Sequence, residues 1–218
     1  TVGASSYMNL GNNFVQEGLA NRITPFTTTN NGKNGSAKNF DTEKTYRNVM
    51  TRYKFGGLQK KGLYVDETVM RMCYTHRRLF AQLAQELIKE GKYDKAKKVL
   101  DKCLEVLPAY NIPHNYVSGS LDLAECYAIL GQQQKAEQLF NAVWKNSEQY
   151  VDFYLALSGN NFDISMSDCL REFTIMQECS KIAPLISQTL AKKTEKIFQN
   201  KFVNYREKGG YVPIQKGK

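Results

Sequence analysis

Hydrophobic positions recur at helical spacing through the middle of the chain, and one order of large and small residues occurs twice. The first copy contains Phe80, Leu83, Ala84, Leu87, Gly91, Ala96, Leu100, Cys103 and Pro108. The second copy contains Ser120, Leu123, Ala124, Tyr127, Gly131, Ala136, Phe140 and Val143. Six pairs, from Leu83 with Leu123 to Leu100 with Phe140, share one offset of 40 residues. The pattern therefore indicates a true internal repeat.

Each copy predicts two amphipathic helices joined by a glycine turn. Gly91 and Gly131 follow the last apolar position of a helix, where a left-handed residue commonly ends it. Small residues before and after the turn, such as Ala84 and Ala96, allow the two helices to approach closely. The large apolar positions would then fill the space between hairpins.

This order of large, small and large residues, then Gly, Ala, an aromatic and a closing Pro resembles the tetratricopeptide repeat. Pro108 stands where that proline belongs, and the second copy lacks one. The usual period is about 34 residues, so we expect the extra residues to form a loop over 109–115. The resemblance implies an all-α fold, mostly of helical hairpin repeats with capping helices.

In such repeats the first helix of each hairpin lines a concave groove. The candidate groove-binding residues are Arg78, Gln85, Lys89, Asp122 and Glu125. Their mixed charges suit an extended peptide or a partner protein, and simple solvent exposure explains them as well.

Residues 1–65 are expected to form N-terminal helices and a mobile loop packed on the repeats. Apolar spacing predicts a short helix that closes near Gly18, followed by an extended segment over 22–26. The turn-forming run at 27–38 predicts the mobile loop. Asp41 is the expected N-cap of a helix that stops at Gly56 and Gly57. A β-prone run at 63–65 predicts a small two-stranded β element with residues 22–26.

Residues 66–206 are expected to form the helical repeat domain, with repeats at about 76–108 and 116–148. A further helical stretch is predicted from Tyr150 to Leu157. Capping helices over 165–206 would follow, with Pro184 in the first turn of the last one. The tail, 207–218, is expected to be disordered.

Charge changes this picture little. The net charge is +9, but an acidic middle segment, 79–180 at −5, lies between two basic ends of +7 each. A nucleic-acid-binding protein more often gathers its basic residues into one patch with aromatic residues, so we do not expect nucleic acid as the partner. The lysine-rich run over 86–105 nets only +1 and predicts a solvated face with ion pairs.

The sequence contains no recognisable catalytic, cofactor-binding or metal-binding motif. The five cysteines are odd in number and form no CxxC pair. His76 and His114 lie far apart in sequence and away from metal-ligand spacings. We therefore predict no catalytic residue, no metal site and no cofactor. No apolar stretch approaches the ~18 residues of a membrane-spanning helix.

A more specific resemblance rests on DTEKTYRNVMTRYKFGGL, on GLYVDETVMRMCYTHRRLFAQLAQELIKEGKYDKAKKVLDKCLEVLP and on LAECYAILGQQQKAEQLF. Over about residues 12–157 the chain resembles the C-terminal region of multi-spanning Bacteroidetes membrane proteins of unknown function. Those proteins are similar to protein O-mannosyltransferases. Because the chain starts at Thr1 rather than methionine, we expect it to be part of a longer protein.

The resemblance implies a non-catalytic accessory domain in the periplasm, attached to the membrane through a segment upstream of this sequence. Its partner would be the parent's own membrane domain, an acceptor protein or a glycan acceptor. The unpaired cysteines would have to be buried there. The alternative is a free-standing cytoplasmic adaptor that binds a peptide or a protein.

Overall fold

The computed structural model describes residues 13–29 and 37–211. They are mostly helical, as predicted, and the chain divides into two compact units, Thr1–Pro113 and His114–Lys218. Each unit is built around one helical hairpin of the repeat. The domain boundaries expected from the sequence do not coincide with this division and stay a prediction.

The first unit begins with a small antiparallel β-hairpin. Strand β1, Phe14–Gln16, pairs with β2, Asn21–Ile23, and Gly18 adopts a φ of 99° in the turn between them. The predicted two-stranded element is confirmed, but its expected partner at 63–65 is wrong. Leu63 and Tyr64 are exposed and lie in no strand. The tight turn places β1 next to β2, so β1 takes the place of the expected partner.

The short helix predicted before Gly18 is also wrong for its described part. Val15 is buried between two half-exposed neighbours, which is the two-residue period of a strand and not a helical face. Within the predicted mobile loop, β3, Thr28–Thr29, pairs in parallel with β4, Ala37–Lys38. The remainder of both predictions, at 1–12 and 30–36, lies outside the described residues.

Helix α1, Thr42–Arg47, continues as a π-helical turn over Asn48–Arg52. Asp41 is its N-cap, as predicted, and its side chain accepts a hydrogen bond from the Lys44 backbone N–H at 2.9 Å. The helix ends at Arg52, before the glycine pair expected to stop it. Helices α2, Glu67–Lys89, and α3, Tyr93–Val106, then form the first hairpin of the repeat.

The second unit contains four helices among its described residues. They are α4, Ser120–Ile129, α5, Gln133–Ala156, α6, Asn160–Ile186, and α7, Gln188–Glu207. Helices α4 and α5 form the second hairpin, and α6 packs on α5 and α4. The helical stretch predicted at 150–157 is the end of α5 and not a separate helix.

Pro184 lies in the last turn of α6, so its predicted place in the first turn of α7 is wrong. Proline cannot donate the N–H hydrogen bond of a helical residue, and only Leu185 and Ile186 continue α6 after it. The two helices are separated instead at Ser187, which has an extended backbone and caps α7 with its side chain.

The predicted disorder of the tail is wrong for its first residues. Glu207 is still helical, and the Gly210 N–H donates to the Tyr205 carbonyl at 2.9 Å to close α7. The Tyr205 hydroxyl in turn donates to the Tyr211 carbonyl at 3.0 Å. Residues 212–218 lie outside the described residues.

Each unit has its own core, and the repeat positions form its centre. Fully buried in the first unit are Leu83, Ala84, Leu87, Ala96, Leu100 and Cys103. Fully buried in the second are Leu123, Ala124, Tyr127, Ala136, Phe140 and Val143. The alanines predicted at the helix contact are thus fully buried in both hairpins. An aromatic cluster between α6 and α7 extends the second core, where Phe173 contacts Phe198, Phe202 and Tyr205.

Candidate functional site

Three of the predicted groove residues lie on α2. Arg78 is exposed, Gln85 is half-buried, and Lys89 is exposed with its ammonium 2.8 Å from Glu86. Arg78 lines a depression of about 290 Å³ between α2 and the β1–β2 hairpin. Its guanidinium donates to the Thr75 hydroxyl at 3.3 Å. In the first unit, Arg78 therefore faces a small space beside the chain's own N-terminal segment.

The N-terminal segment also covers the rest of this face of α2. Gln82 bonds Gln16 at 3.3 Å, and the Thr42 hydroxyl donates to the Glu90 carboxylate at 2.7 Å. Lys38 pairs with Glu86 at 2.7 Å and with Glu90 at 3.0 Å. These contacts engage Gln82, Glu86 and Glu90, which are neighbours of the predicted groove residues Gln85 and Lys89.

The other two predicted groove residues lie on α4 in the second unit. Asp122 is exposed and Glu125 is half-buried. Because the two sets belong to different units, their use by one ligand stays a prediction.

The second unit contains an open cleft of about 810 Å³. It lies where the turn after residue 114, the middle of α5 and the middle of α6 meet. Its lining is Asn115, Tyr116, Val117, Asn146, Tyr150, Ser167, Leu170, Arg171, Glu172, Thr174 and Ile175. We call it the α5–α6 cleft. Tyr116, Val117 and Tyr150 leave 41%, 58% and 48% of their surfaces exposed.

A buried chain of polar side chains holds the turn that carries Tyr116 and Val117. Asn115 and Ser118 cap a single 3₁₀ turn over Tyr116–Ser118 with reciprocal hydrogen bonds of 2.9 and 3.1 Å. The Ser118 hydroxyl lies 2.8 Å from that of Ser120, so the turn is fixed from beneath. The apolar side chains of the turn consequently stay at the surface instead of collapsing into the core.

The polar groups of the cleft are few and lie mainly on α6. Glu172 is only 7% exposed, although it lines the opening. Arg171 reaches its carboxylate at 3.6 Å and that of Asp168 at 3.3 Å. Burial raises the pKa of Tyr116, and the nearby carboxylates of Glu178 and Asp122 raise it further. Asp122, predicted for the groove, thus contributes charge near the cleft.

Sequence reasoning missed this cleft. One signal could have found it: Val117 stands 40 residues after Arg77, at a repeat position where an apolar side chain next to Tyr116 begins a helical hairpin. The partners on α5 and α6 could not be found in this way, because the repeat pattern does not extend to α6.

The cysteines and His76 lie in packed surroundings. Within them, no group of three or more metal-ligating side chains is found. All five cysteines are buried and no disulfide joins them, and burial raises the pKa of Cys103, Cys126, Cys169 and Cys179 to about 12. His76 packs edge-on against Tyr53 and Phe55, and burial lowers its pKa. In the described part of the chain, no helix has the length and apolar character to span a membrane.

Comparison with known proteins supports the repeat. The family model of the tetratricopeptide repeat matches residues 78–110, which include most of the α2–α3 hairpin. No curated protein and no solved structure matches the chain. A tetratricopeptide-like helical repeat is therefore shown for the first hairpin, and repeats of this kind generally bind proteins or peptides without catalysis.

Proposed function

We propose that this chain is a non-catalytic protein-interaction module that holds a peptide segment of a partner in the α5–α6 cleft. The observation that carries the proposal is the exposure of Tyr116, Val117 and Tyr150 around one opening. Apolar side chains that stay exposed around a concave surface are typical of binding sites. The volume of about 810 Å³ falls within the usual range of about 300–1,000 Å³ for ligand pockets.

The identity of the lining favours a peptide. Tyrosine supplies a large contact area and a hydrogen-bonding hydroxyl with few rotatable bonds, which suits protein recognition. Asn146 adds a carboxamide, which can both donate to and accept from a peptide backbone. The family match to the first hairpin supports the same reading, because helical repeats commonly present such surfaces.

The test replaces the most exposed apolar residue of the cleft. Peptides are first selected on the purified chain from a random phage-displayed library, and their affinities are then measured by fluorescence anisotropy. We expect Val117→Asp to lower the affinity at least about tenfold by placing a charge against the apolar contact.

Val203→Asp is the matched control, because Val203 is 52% exposed on α7 and does not line the cleft. Its affinity should equal that of the wild type. If no peptide is selected, or if both variants bind normally, the proposal is wrong.

We further propose that this chain is a periplasmic accessory domain of a membrane glycosyltransferase. The resemblance over about residues 12–157 supports this finer proposal. Its candidate partners are the parent's own membrane domain and an acceptor protein or glycan. Val117→Asp should then lower glycosylation in cells without unfolding the domain, and unchanged modification would count against it.

An immunoblot of fractionated source cells separates this proposal from a free-standing cytoplasmic adaptor. A membrane-bound band several times larger than 24.9 kDa supports the glycosyltransferase parent. A soluble band near that mass supports the adaptor, and the accessory-domain proposal would be dropped.

A further inference from the structure

We infer that the α5–α6 cleft selects a peptide segment with a lysine or arginine beside aliphatic residues, and that Glu172 binds the basic side chain. This inference rests on the proposed function and adds the chemistry of the ligand. Three features of the cleft carry it: an almost buried carboxylate, an excess of acidic neighbours, and apolar surface on both sides.

Glu172 is placed as an anchor for a cation. It is 7% exposed, yet it lines an open cleft instead of the protein interior. Among the described residues no hydrogen bond reaches its carboxylate, and the nearest cation is Arg171 at 3.6 Å. A carboxylate with little access to water gains most from a charge-assisted hydrogen bond. A lysine or arginine of the ligand would supply that bond.

The ion pair with Arg171 is too weak to keep a basic group of the ligand away from Glu172. Its side chain is 63% exposed and shared between Glu172 and Asp168, at 3.6 and 3.3 Å. Exposed ion pairs of this kind contribute little, because solvent screens them and the side chain must be held in place. A basic group of the ligand can therefore approach Glu172 while Arg171 stays with Asp168.

The electrostatic surroundings favour a cation over an anion. The charged side chains around the cleft include four carboxylates, those of Asp122, Asp168, Glu172 and Glu178, and two cations, Arg171 and Lys181. Two tyrosines respond to these carboxylates: Tyr116, which lines the cleft, and Tyr154, whose ring stacks on that of Tyr150. Burial raises the pKa of Tyr154, and Asp168 adds to the effect, as Glu178 and Asp122 do for Tyr116. A positively charged segment would thus be attracted to this part of the second unit.

Apolar surface flanks the carboxylate. Leu170 and Ile175 lie on α6 to either side of Glu172 in sequence, and Tyr116 and Val117 lie on the neighbouring turn. Aliphatic side chains next to the basic residue would cover this surface. Asn146 also lines the cleft, and no hydrogen bond within the described part of the chain engages its carboxamide, so it can bind the peptide backbone.

The experiment uses peptides selected on the full chain from the random phage library and a double-mutant cycle. Selected sequences should share a lysine or arginine among aliphatic residues. Glu172→Gln should lower the affinity for the best peptide about tenfold. Replacing the basic residue of that peptide by norleucine should lower its affinity for the wild-type chain by a similar factor. The two changes together should cost no more than either alone, because they remove one interaction.

Glu137→Gln is the matched control, since it removes the same charge from an exposed position on α5 outside the cleft, and it should bind normally. Thermal melts check that Glu172→Gln remains folded. The inference would be overturned, and the proposed function would stand, if the selected peptides lose affinity for Val117→Asp but contain no basic residue. The same holds if their affinity for Glu172→Gln equals that for the wild type. Selection of acidic peptides would also overturn it. An unchanged peptide affinity of Val117→Asp would instead overturn the proposed function.

Discussion

The two hairpins have the same turn but differ in what surrounds them. Gly91 and Gly131 both have a φ of 72°, and the residues that follow, Lys92 and Gln132, differ by only 2° in ψ. Both turns close with the same pair of hydrogen bonds, from the glycine N–H and from the next N–H to carbonyls of the preceding helix, at 2.8 to 3.0 Å. Equal local patterns have produced equal local structures.

The two copies of the repeat differ at Arg77 and at its equivalent 40 residues later, Val117. Arg77 is fully buried, and its guanidinium donates to the carbonyls of Leu107, Ile112 and Pro113 at 3.1, 2.7 and 2.9 Å. Val117 holds the same position in the second copy, where it is 58% exposed at the α5–α6 cleft. One repeat position thus serves to fasten a loop in the first unit and to form a binding surface in the second.

The comparison teaches that the repeat pattern specifies hairpins but not their exposed faces. In the first unit, the N-terminal segment covers one face of α2 and Arg77 secures the loop after α3. In the second unit, α5 continues past the position where α3 ends, and its extension forms part of an open cleft. The first hairpin is therefore the more enclosed one, and the second is the candidate for ligand binding.

The largest expected effect tests what the hairpins share. Ala96→Asp and Ala136→Asp should each lower the free energy of unfolding by about 3 kcal/mol, because both place an unpaired charge in a fully buried contact. Urea titration measures the loss. Lys97→Asp and Glu137→Asp are the exposed neighbours and should change little. An unaltered melt for either alanine variant would refute the close packing of that hairpin.

The next effect separates the two hairpins. Arg77→Met should cost about 2 kcal/mol, because three carbonyl groups lose a charged donor, while the cost of burying the guanidinium is recovered. Proteolysis over 107–113 should accelerate as the loop is released. Val117→Met changes the equivalent exposed position and should leave stability within about 0.5 kcal/mol. Equal effects of the two changes would contradict the difference described above.

A smaller effect returns to the shared turn. Gly91→Ala and Gly131→Ala should each cost about 1 kcal/mol, because a side chain disfavours the left-handed backbone. A Cβ at either site meets no atom within 4 Å, so strain and not a clash is the cause. The two losses, measured by urea titration, should agree within error. Clearly unequal losses would show that the turns are not energetically equivalent.

The smallest effect is the loss of folding stability at acidic pH. Burial alone would raise the pKa of Glu90, but hydrogen bonds from Lys92, Thr42 and Lys38 outweigh it and lower the pKa to about 2. The carboxylate therefore stabilises the fold above the unfolded pKa of about 4.5, and this contribution is lost as the pH falls toward 2. After solvent screening we expect less than about 1 kcal/mol.

Leu130 occupies the equivalent position, so this acid sensitivity belongs to the first hairpin. Glu90→Gln should flatten the stability curve between pH 4.5 and 2. The control Glu105→Gln removes an exposed carboxylate of α3 and should leave the curve unchanged. The same curve for Glu90→Gln and wild type would mean that the carboxylate is not stabilised in the folded state.

Local features were predictable from the sequence because a few neighbouring residues determine them. The mostly helical fold, the repeated hairpins with glycine turns and the N-cap at Asp41 all follow from apolar period, backbone freedom and capping chemistry. The same reasoning placed Pro184 and the partner of β2 wrongly. Pairing of short strands and helix ends depend on contacts that a local pattern does not contain.

Only the tertiary structure decided which faces are covered. Helical spacing puts Arg77 on the buried face of α2 with Phe80 and Ala84, but it does not show what receives the buried guanidinium, because the carbonyls that bind it lie 30 to 36 residues further along the chain. The α5–α6 cleft likewise joins three segments that are distant in sequence, and the burial of Glu172 follows from their packing. The sequence by itself determined the repeated hairpin, whereas long-range packing determined where a charge is buried and where a surface is left open.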